Sequence, residues 1–551
     1  MANLHTSNLC VQIISTHFGP LTANVAQILL SRGRLNVVQL IRFTLLRPRL
    51  VSNILLVLVQ QNIVWHATDG GGSGEQLFEF NIEECLMRLR FGSFVYQAQE
   101  LFGAAAADIV QLVLHHGKLT PSQILDKLNV VASLDKSPVV YSQALYKLVS
   151  KHYLKPSTVS SHISPRDKRI QYEAEEKAKI SGFPTSKQLR EARVIVEARL
   201  KREEEEAEKI GLRKKGSTTE EEETVVDETV YFRVDFDKFN IHTRNTLIEQ
   251  AARERYNAGS ALVIHAILKC TEDSQLSVAD IRSDALSISN IILHLSSQEY
   301  EDILTSGLVR SSSKTRSPAT CIKEYLGLLS NADNPTQTGR AGAFVEFSSK
   351  GGGSGKVQVV FDVIARRLRR QILEGVTRER HGAIGVRIVR LLMDTGKMDE
   401  KQISKIVMMP LKDVRPLLSA LANSSLVSTV EVPKSADRNP TRTFYLWQVD
   451  IPKAFSFILN VLYKTLFNIS ARRQAEHEDD SMLTAVMEKR NRSDVSMDVE
   501  GLLSVNEKEI LKEWEAKEEK LCILEARVEE SVFIVRELGR AAGSSVDELY
   551  Q

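Results

Sequence analysis

An apolar helical run that ends at glycine, followed by a basic residue and then Leu or Met, occurs three times in this chain. The copies are Leu29-Leu30-Ser31-Arg32-Gly33-Arg34-Leu35, Leu112-Val113-Leu114-His115-His116-Gly117-Lys118-Leu119 and Leu391-Leu392-Met393-Asp394-Thr395-Gly396-Lys397-Met398. A weaker copy, Ala266-Ile267-Leu268-Lys269-Cys270 leading to Gln275-Leu276, lies between the last two. Glycine at such a point stops a helix by taking a left-handed backbone. Each copy precedes a short amphipathic stretch, another helix and then, usually, strand-like residues. That order predicts a helix-turn-helix with a β-wing, and the repetition predicts a tandem array of such units.

A chain of 551 residues, 43% of them hydrophobic, has material for several cores. Its 72 basic and 70 acidic residues leave a net charge of +2. A protein that holds duplex DNA mainly through phosphates is usually more basic, so any nucleic-acid contact is expected to be local or shared with a partner. The cysteines Cys10, Cys85, Cys270, Cys321 and Cys522 are scattered, without metal spacing, and read as reduced thiols. No signal peptide is recognised, and the most apolar run, Leu50 to Val59, is too short to span a bilayer. The expectation is a soluble intracellular protein without a membrane contact, a cofactor or a metal.

Six segments follow from the patterning. Residues 1–100 form a first winged helix, with helices at Pro20–Ser31, Leu35–Phe43 and Pro48–Gln61 and a strand pair, Ile63–His66 and Gln76–Phe80. Its third helix, apolar on nearly every face, reads as buried against protein. Residues 101–156 form a second unit, with helices at Ala104–His116, after the cap Thr120-Pro121, and at Pro138–Lys151. Residues 157–228 mix charges densely and read as a charged linker or insertion. A third winged helix spans 229–362, and a fourth, with a preceding basic helix, spans 363–450. Residues 451–551 carry two apolar stripes expected to pair as an antiparallel coiled-coil hairpin, through Ile458, Leu462 and Leu466 on one helix. Ile510, Trp514, Leu521, Leu524, Val528, Val535 and Leu538 would face them from the other. The fold class expected is mainly α with small β-wings.

The loop Lys350-Gly351-Gly352-Gly353-Ser354-Gly355-Lys356 imitates a phosphate-binding loop and fails as one. Lys350 replaces the first glycine, Val357 the magnesium-binding hydroxyl, and the loop joins two strands where a phosphate loop must open a helix. The same pentapeptide recurs at Gly70–Gly74, so both read as wing tips. No catalytic constellation is present in the sequence. Base-reading helices need Arg, Lys, Asn or Gln aimed at base edges, and the third helices offer little of this: Lys147 and Lys151 in the second unit, Lys412 and Arg415 in the fourth. Lys314 and Arg316 precede the third helix of the third unit. The densest basic cluster is Arg366, Arg367, Arg369 and Arg370, continued by Arg378, Arg380, Arg387 and Arg390. It reads either as the wet face of an amphipathic helix or as a contact with nucleic-acid backbone.

Winged helices in tandem, a charged insertion after the second and a helical C-terminal hairpin resemble one known family. It is that of the largest member of the RNA polymerase III-specific heterotrimer, related to the alpha subunit of the general factor IIE. Asn8-Leu9-Cys10 through Phe18-Gly19-Pro20, the Gly33-Arg34-Leu35 turn and Glu173-Ala174-Glu175-Glu176-Lys177 look like that family's text. The resemblance implies a non-catalytic nuclear subunit docked on the clamp of the RNA polymerase III core. It further implies binding to the other two heterotrimer subunits and to initiation factor IIIB, non-specific contact with promoter DNA, and help in opening promoters for transfer RNA, 5S ribosomal RNA and other small transcripts. The alternative is a winged-helix and coiled-coil scaffold of another large assembly, of proteasome-lid or translation-initiation type.

Overall fold

The computed structural model describes residues 3–68, 76–131, 138–179, 185–214, 224–306, 318–331, 335–336, 339–340, 343–348, 356–433, 443–478, 481–490 and 503–542. They fall into two compact units, Met1–Asn240 and Ile241–Gln551. Both are mainly helical, with small antiparallel strand pairs at the edges of helix clusters. The two glycine-rich loops, 70–74 and 351–355, lie outside the described residues.

The three strong copies of the repeated phrase do the same thing in space. Gly33, Gly117 and Gly396 each cap the preceding helix with φ between 81° and 82°, and each donates its N–H to the carbonyl four residues back. The chain thereby turns, and the residue two positions on is buried and paired with a strand of the wing. Leu35 pairs with Phe78, Leu119 with Phe232 and Met398 with Trp447. These three side chains are no more than 8% exposed. The weaker copy does not behave this way. Leu276 is 67% exposed, and the third unit meets its wing several residues later, through bridges from Arg282 to Val360 and from Leu286 to Val357. Gln275 instead accepts a 2.7 Å hydrogen bond from the buried Arg244, which also donates to the carbonyls of Ser277 and Val278 and lies 3.8 Å over the Phe361 ring.

In the first two copies the basic residue of the phrase is drawn into the unit, whereas Lys397 of the third is exposed. Arg34 donates to Glu79 at 2.7 Å and to Asp167 at 2.9 Å, tying the first wing to the start of the insertion. Lys118, 4% exposed, reaches the Val59 carbonyl and the ring of His162, which stacks on His66 with centroids 5.6 Å apart. Burial and the neighbouring cation Arg233 pull Lys118 down to about 8; burial and Lys118 pull His162 down to about 4.

In the first unit the helices Pro20–Arg32, Val37–Thr44 and Pro48–Gln60 stand close to the expected ranges, with Leu35 and Asn36 paired as a strand. Helix Pro48–Gln60 buries Val51, Ile54, Leu55 and Leu58 but leaves Leu56 and Val57 exposed, so it is not covered on every face. Helices Leu4–Phe18, Ile82–Met87 and Phe91–Phe102 were not expected. Thr6, Ser7, Asn8 and Thr16 weaken the helical signal of the first. It forms because Leu9, Cys10, Ile13 and Ile14 fall on one face and are buried.

Residues 229–240, expected at the head of the third unit, belong to the second. Phe232–Val234 pairs antiparallel with Leu154–Pro156, and Phe232, Val234 and Phe239 pack into one core with Val110, Val113, Leu145 and Leu148. The charged segment is therefore an insertion inside the second wing. It folds into helices Pro165–Ala178 and Ser186–Lys209, held together by Arg199 donating to Glu175 at 2.7 Å and stacking over Tyr172.

In the compact half Ile241–Gln551, helix Ala258–Thr271, the helices to Ser330 and the strand pair Val345–Ser348 with Lys356–Val359 share one core. A long helix, Phe361–Thr395, leads out of that core and kinks at Gly382, where φ is 72°. Its second half is the first helix of the fourth winged unit. Glu400–Val407, Leu411–Asn423 and the strands Ser428–Pro433 and Thr443–Gln448 complete it. The second helices of the first and fourth units match closely. Val37–Thr44 and Glu400–Val407 each have eight residues, a capping box at Asn36 or Asp399, and a left-handed end at Leu45 or Met408. The last helices, Ile451–Glu478 and Val505–Ala542, run antiparallel. Residues Ile451–Glu476 are long and apolar enough to cross a membrane. Here Ala454, Phe455, Ile458, Leu466 and Ile469 are buried in protein contacts.

Two substitutions test this arrangement. Phe232→Ala, emptying a site with no solvent exposure, should cost about 3–5 kcal/mol and speed hydrogen exchange in 104–150 but not in 258–330. Gly117→Ala should destabilise its unit more than Gly396→Ala does in the other. A Cβ at Gly117 would lie 2.4 Å from the Gln60 carbonyl oxygen, whereas one at Gly396 meets nothing within 4 Å. The positive φ alone costs about 1–2 kcal/mol at either site; denaturant unfolding of the two variants measures the difference.

Candidate nucleic-acid and partner interfaces

The basic cluster on helix Phe361–Thr395 divides at its kink. Before it, the arginines are struts. Arg366 donates to Asp362 at 2.6 Å, and Arg370 to Glu374 at 3.0 Å and to Asp394 at 2.9 Å. Arg390, from beyond the kink, closes on the same Glu374 at 2.8 Å. The Arg369 guanidinium lies 4.1 Å over the Phe455 ring and against Gly539. Burial lowers the pKa of Arg369, and burial with Arg255 and Arg370 nearby pushes Arg367 down to about 10. Arg366, Arg369, Arg370 and Arg390 are thus engaged by groups of the protein itself. The acids and rings that engage them include groups far along the chain, which is why the Arg366–Arg370 spacing alone resembles a patch.

At the kink the picture changes. Arg378, Arg380 and Arg387 are exposed, with Ile384 beside them 41% exposed. Arg380 leans 5.2 Å over the Phe457 ring, and His381 shares a 2.9 Å hydrogen bond with the Ser424 hydroxyl, so the elbow is braced from two sides. Lys147 and Lys151 are exposed at the end of helix Pro138–Ser150. Lys314 and Arg316 lie outside the described residues.

On the C-terminal helix pair, Ile458, Leu466, Val535 and Leu538 are buried, and Leu462, Ile510, Trp514, Leu521 and Val528 are half-buried. Leu524 departs from the expected stripe and is 45% exposed. The position one residue on, Glu525, faces the partner helix and accepts a 2.7 Å bond from Arg473, which also pairs with Glu518 at 2.7 Å. Lys517 pairs with Glu476 at 3.2 Å. The seam is thus apolar at its base and ionic toward its far end.

One surface shows in the sequence only as Arg47 and Arg49 at the start of the first unit's apolar third helix. Residues 1–68 contain five arginines and no Asp, Glu or Lys. Arg34 is tied internally and Arg32 lies 3.9 Å over Phe43, while Arg42, Arg47 and Arg49 are exposed. The signal that could have found it was the missing acids, not the density of bases. Among the described residues, no group of three or more His, Cys, Asp or Glu is placed to hold a metal ion.

Because Arg369 packs on Phe455, Arg369→Ala should lower thermal stability by about 1–2 kcal/mol while leaving the affinity for duplex DNA unchanged, as measured by unfolding and by fluorescence anisotropy.

Comparison with known proteins places this architecture. Residues 8–69 match the RNA polymerase III subunit RPC82 helix-turn-helix domain, residues 143–330 the model for RNA polymerase III subunit RPC82, and residues 373–449 the POLR3C C-terminal winged-helix domain. The DNA-directed RNA polymerase III subunit RPC3 of Danio rerio is 27% identical, covering 96% of this chain and 97% of that protein. The Homo sapiens protein of the same name is 25% identical with the same coverage. An Aspergillus niger subunit rpc3 is 37% identical over 32% of this chain and 28% of its own length. Three domain matches in chain order, with relatives that align from end to end, show that the chain belongs to the RNA polymerase III subunit RPC82 family.

Proposed function

We propose that this chain is a non-catalytic subunit of RNA polymerase III that works in the nucleus, docked on the clamp of the polymerase core. In that position it binds the other two members of the heterotrimer, engages initiation factor IIIB and helps open promoter DNA for transfer RNA, 5S ribosomal RNA and other small transcripts. The observation that carries this reading is the end-to-end match to subunits named for that polymerase. Two structural features support its finer parts. The exposed elbow Arg378, Arg380 and Arg387 offers three cations for phosphates without base-reading geometry, which suits DNA held non-specifically. The helix pair Ile451–Glu478 and Val505–Ala542 keeps Ile523 and Leu524 about half exposed, a feature suited to a protein neighbour.

Purification of the tagged chain from nuclear extract, with partners identified by mass, should return RNA polymerase III subunits. Recovery of proteasome-lid or translation-initiation subunits instead would overturn the reading. Replacing Arg378, Arg380 and Arg387 together by Gln should cost little stability, about 0.5–1 kcal/mol from the lost contact of Arg380 with Phe457. In the assembled polymerase it should reduce crosslinking to promoter DNA and flatten the salt dependence by about one unit of log–log slope for each phosphate that is no longer neutralised.

A further inference from the structure

The helix-turn-helix of the first unit carries a second, unassigned surface made of other residues. Helix Val37–Thr44 ends at Leu45, whose backbone is left-handed with φ 57° and ψ 21°. Glycine and asparagine are the residues that this conformation favours, and a leucine there carries strain of about 1–2 kcal/mol. Leu45 is nevertheless 89% exposed, as Met408 is at the matching cap of the fourth unit, at 86%. On helices Val37–Thr44 and Pro48–Gln60, Val38 is 73% exposed, Leu56 69% and Val57 45%, and Phe43 is partly uncovered beneath the Arg32 guanidinium. Arg42, Arg47 and Arg49 are exposed on the same two helices and the turn between them. No acidic residue occurs before Asp69 to compensate them.

We infer that the outer side of Val37–Thr44 and Pro48–Gln60 is a docking surface for an acidic, amphipathic segment of a partner protein, with aliphatic anchors seated against Leu45, Val38 and Leu56 and carboxylates facing Arg42, Arg47 and Arg49. Charge complementarity sets the sign of the partner, because the surface has cations and no acid of its own. The aliphatic residues set its class. Duplex DNA presents phosphates, sugars and polar base edges, and burying Val38, Leu45 and Leu56 against them would desolvate both sides with little return. A helix bearing Leu on one face and Glu on the other satisfies both demands.

The test uses the full chain and a labelled helical peptide of that composition, with Ser-for-Leu and Lys-for-Glu peptides and a labelled DNA duplex as comparisons. The acidic Leu-bearing peptide should bind about tenfold more tightly than either control peptide. Leu45→Gly and Leu45→Asn both suit a left-handed backbone and should leave the melting temperature equal or higher, yet weaken that peptide about tenfold. Leu56→Ser and the combined replacement of Arg42, Arg47 and Arg49 by Gln should weaken it as well. Equal binding of the three peptides, or wild-type affinity in the Leu45 variants, would overturn the proposal. So would a duplex that displaces the peptide and loses affinity in the Arg variant but not in the Leu45 variants, an outcome that assigns the surface to nucleic acid.

Discussion

The first, second and fourth winged units all hang on one backbone bridge. Two residues after the capping glycine, Leu35, Leu119 or Met398 meets a wing strand, and at Leu119 and Met398 the hydrogen bonds are reciprocal. Leu119 donates to Phe232 at 3.2 Å and accepts from it at 2.8 Å; Met398 and Trp447 exchange bonds of 3.0 and 2.8 Å. The bridge pins the end of the first helix to the base of the wing and closes the core with a buried aliphatic side chain. Because the unit is sealed at that base, the wing's far end is free to vary. The entropy of closing a longer loop grows only slowly with length, so the second unit carries a two-helix insertion between its wing strands without loss of its core.

The same economy governs charge. Guanidinium groups at helix contacts keep their charge where carboxylates, carbonyls and aromatic faces surround them. Arg34 between Glu79 and Asp167, Arg244 over Phe361, Arg369 over Phe455 and Arg473 between Glu518 and Glu525 are all used in this way. Other cations are left exposed, among them the arginines at the Gly382 elbow and those on the first helix-turn-helix. Such local concentration suits a subunit of a large assembly, which contributes an edge to a shared surface and need not bind nucleic acid strongly by itself.

Much of the fold could be read from the residues because its signals are short. The glycine stops, the Thr120 cap with Pro121 behind it and the strand pair of the first wing all act within a few positions. The candidate sites were less readable. Arg366 and Arg370 look alike in sequence to Arg378 and Arg380, yet the first pair is spent on Asp362, Glu374 and Asp394 and the second faces solvent. Leu524 fits an apolar stripe as well as Leu521 does, but the seam passes through Glu525 because Arg473 waits opposite.

The sequence by itself determined where helices stop, how the chain turns after each glycine and that the winged unit repeats, since those outcomes depend on backbone sterics and local hydrogen bonds. Only the tertiary structure decided which partner each turn would find. Phe232 closes the unit of Leu119 from beyond a whole inserted helical pair, and the weak copy at Gln275-Leu276 supports a buried arginine where a wing contact was expected. The physical reason is the same in both cases: burial and ion pairing are set by neighbours in space, and the same short phrase has different neighbours wherever the chain brings it.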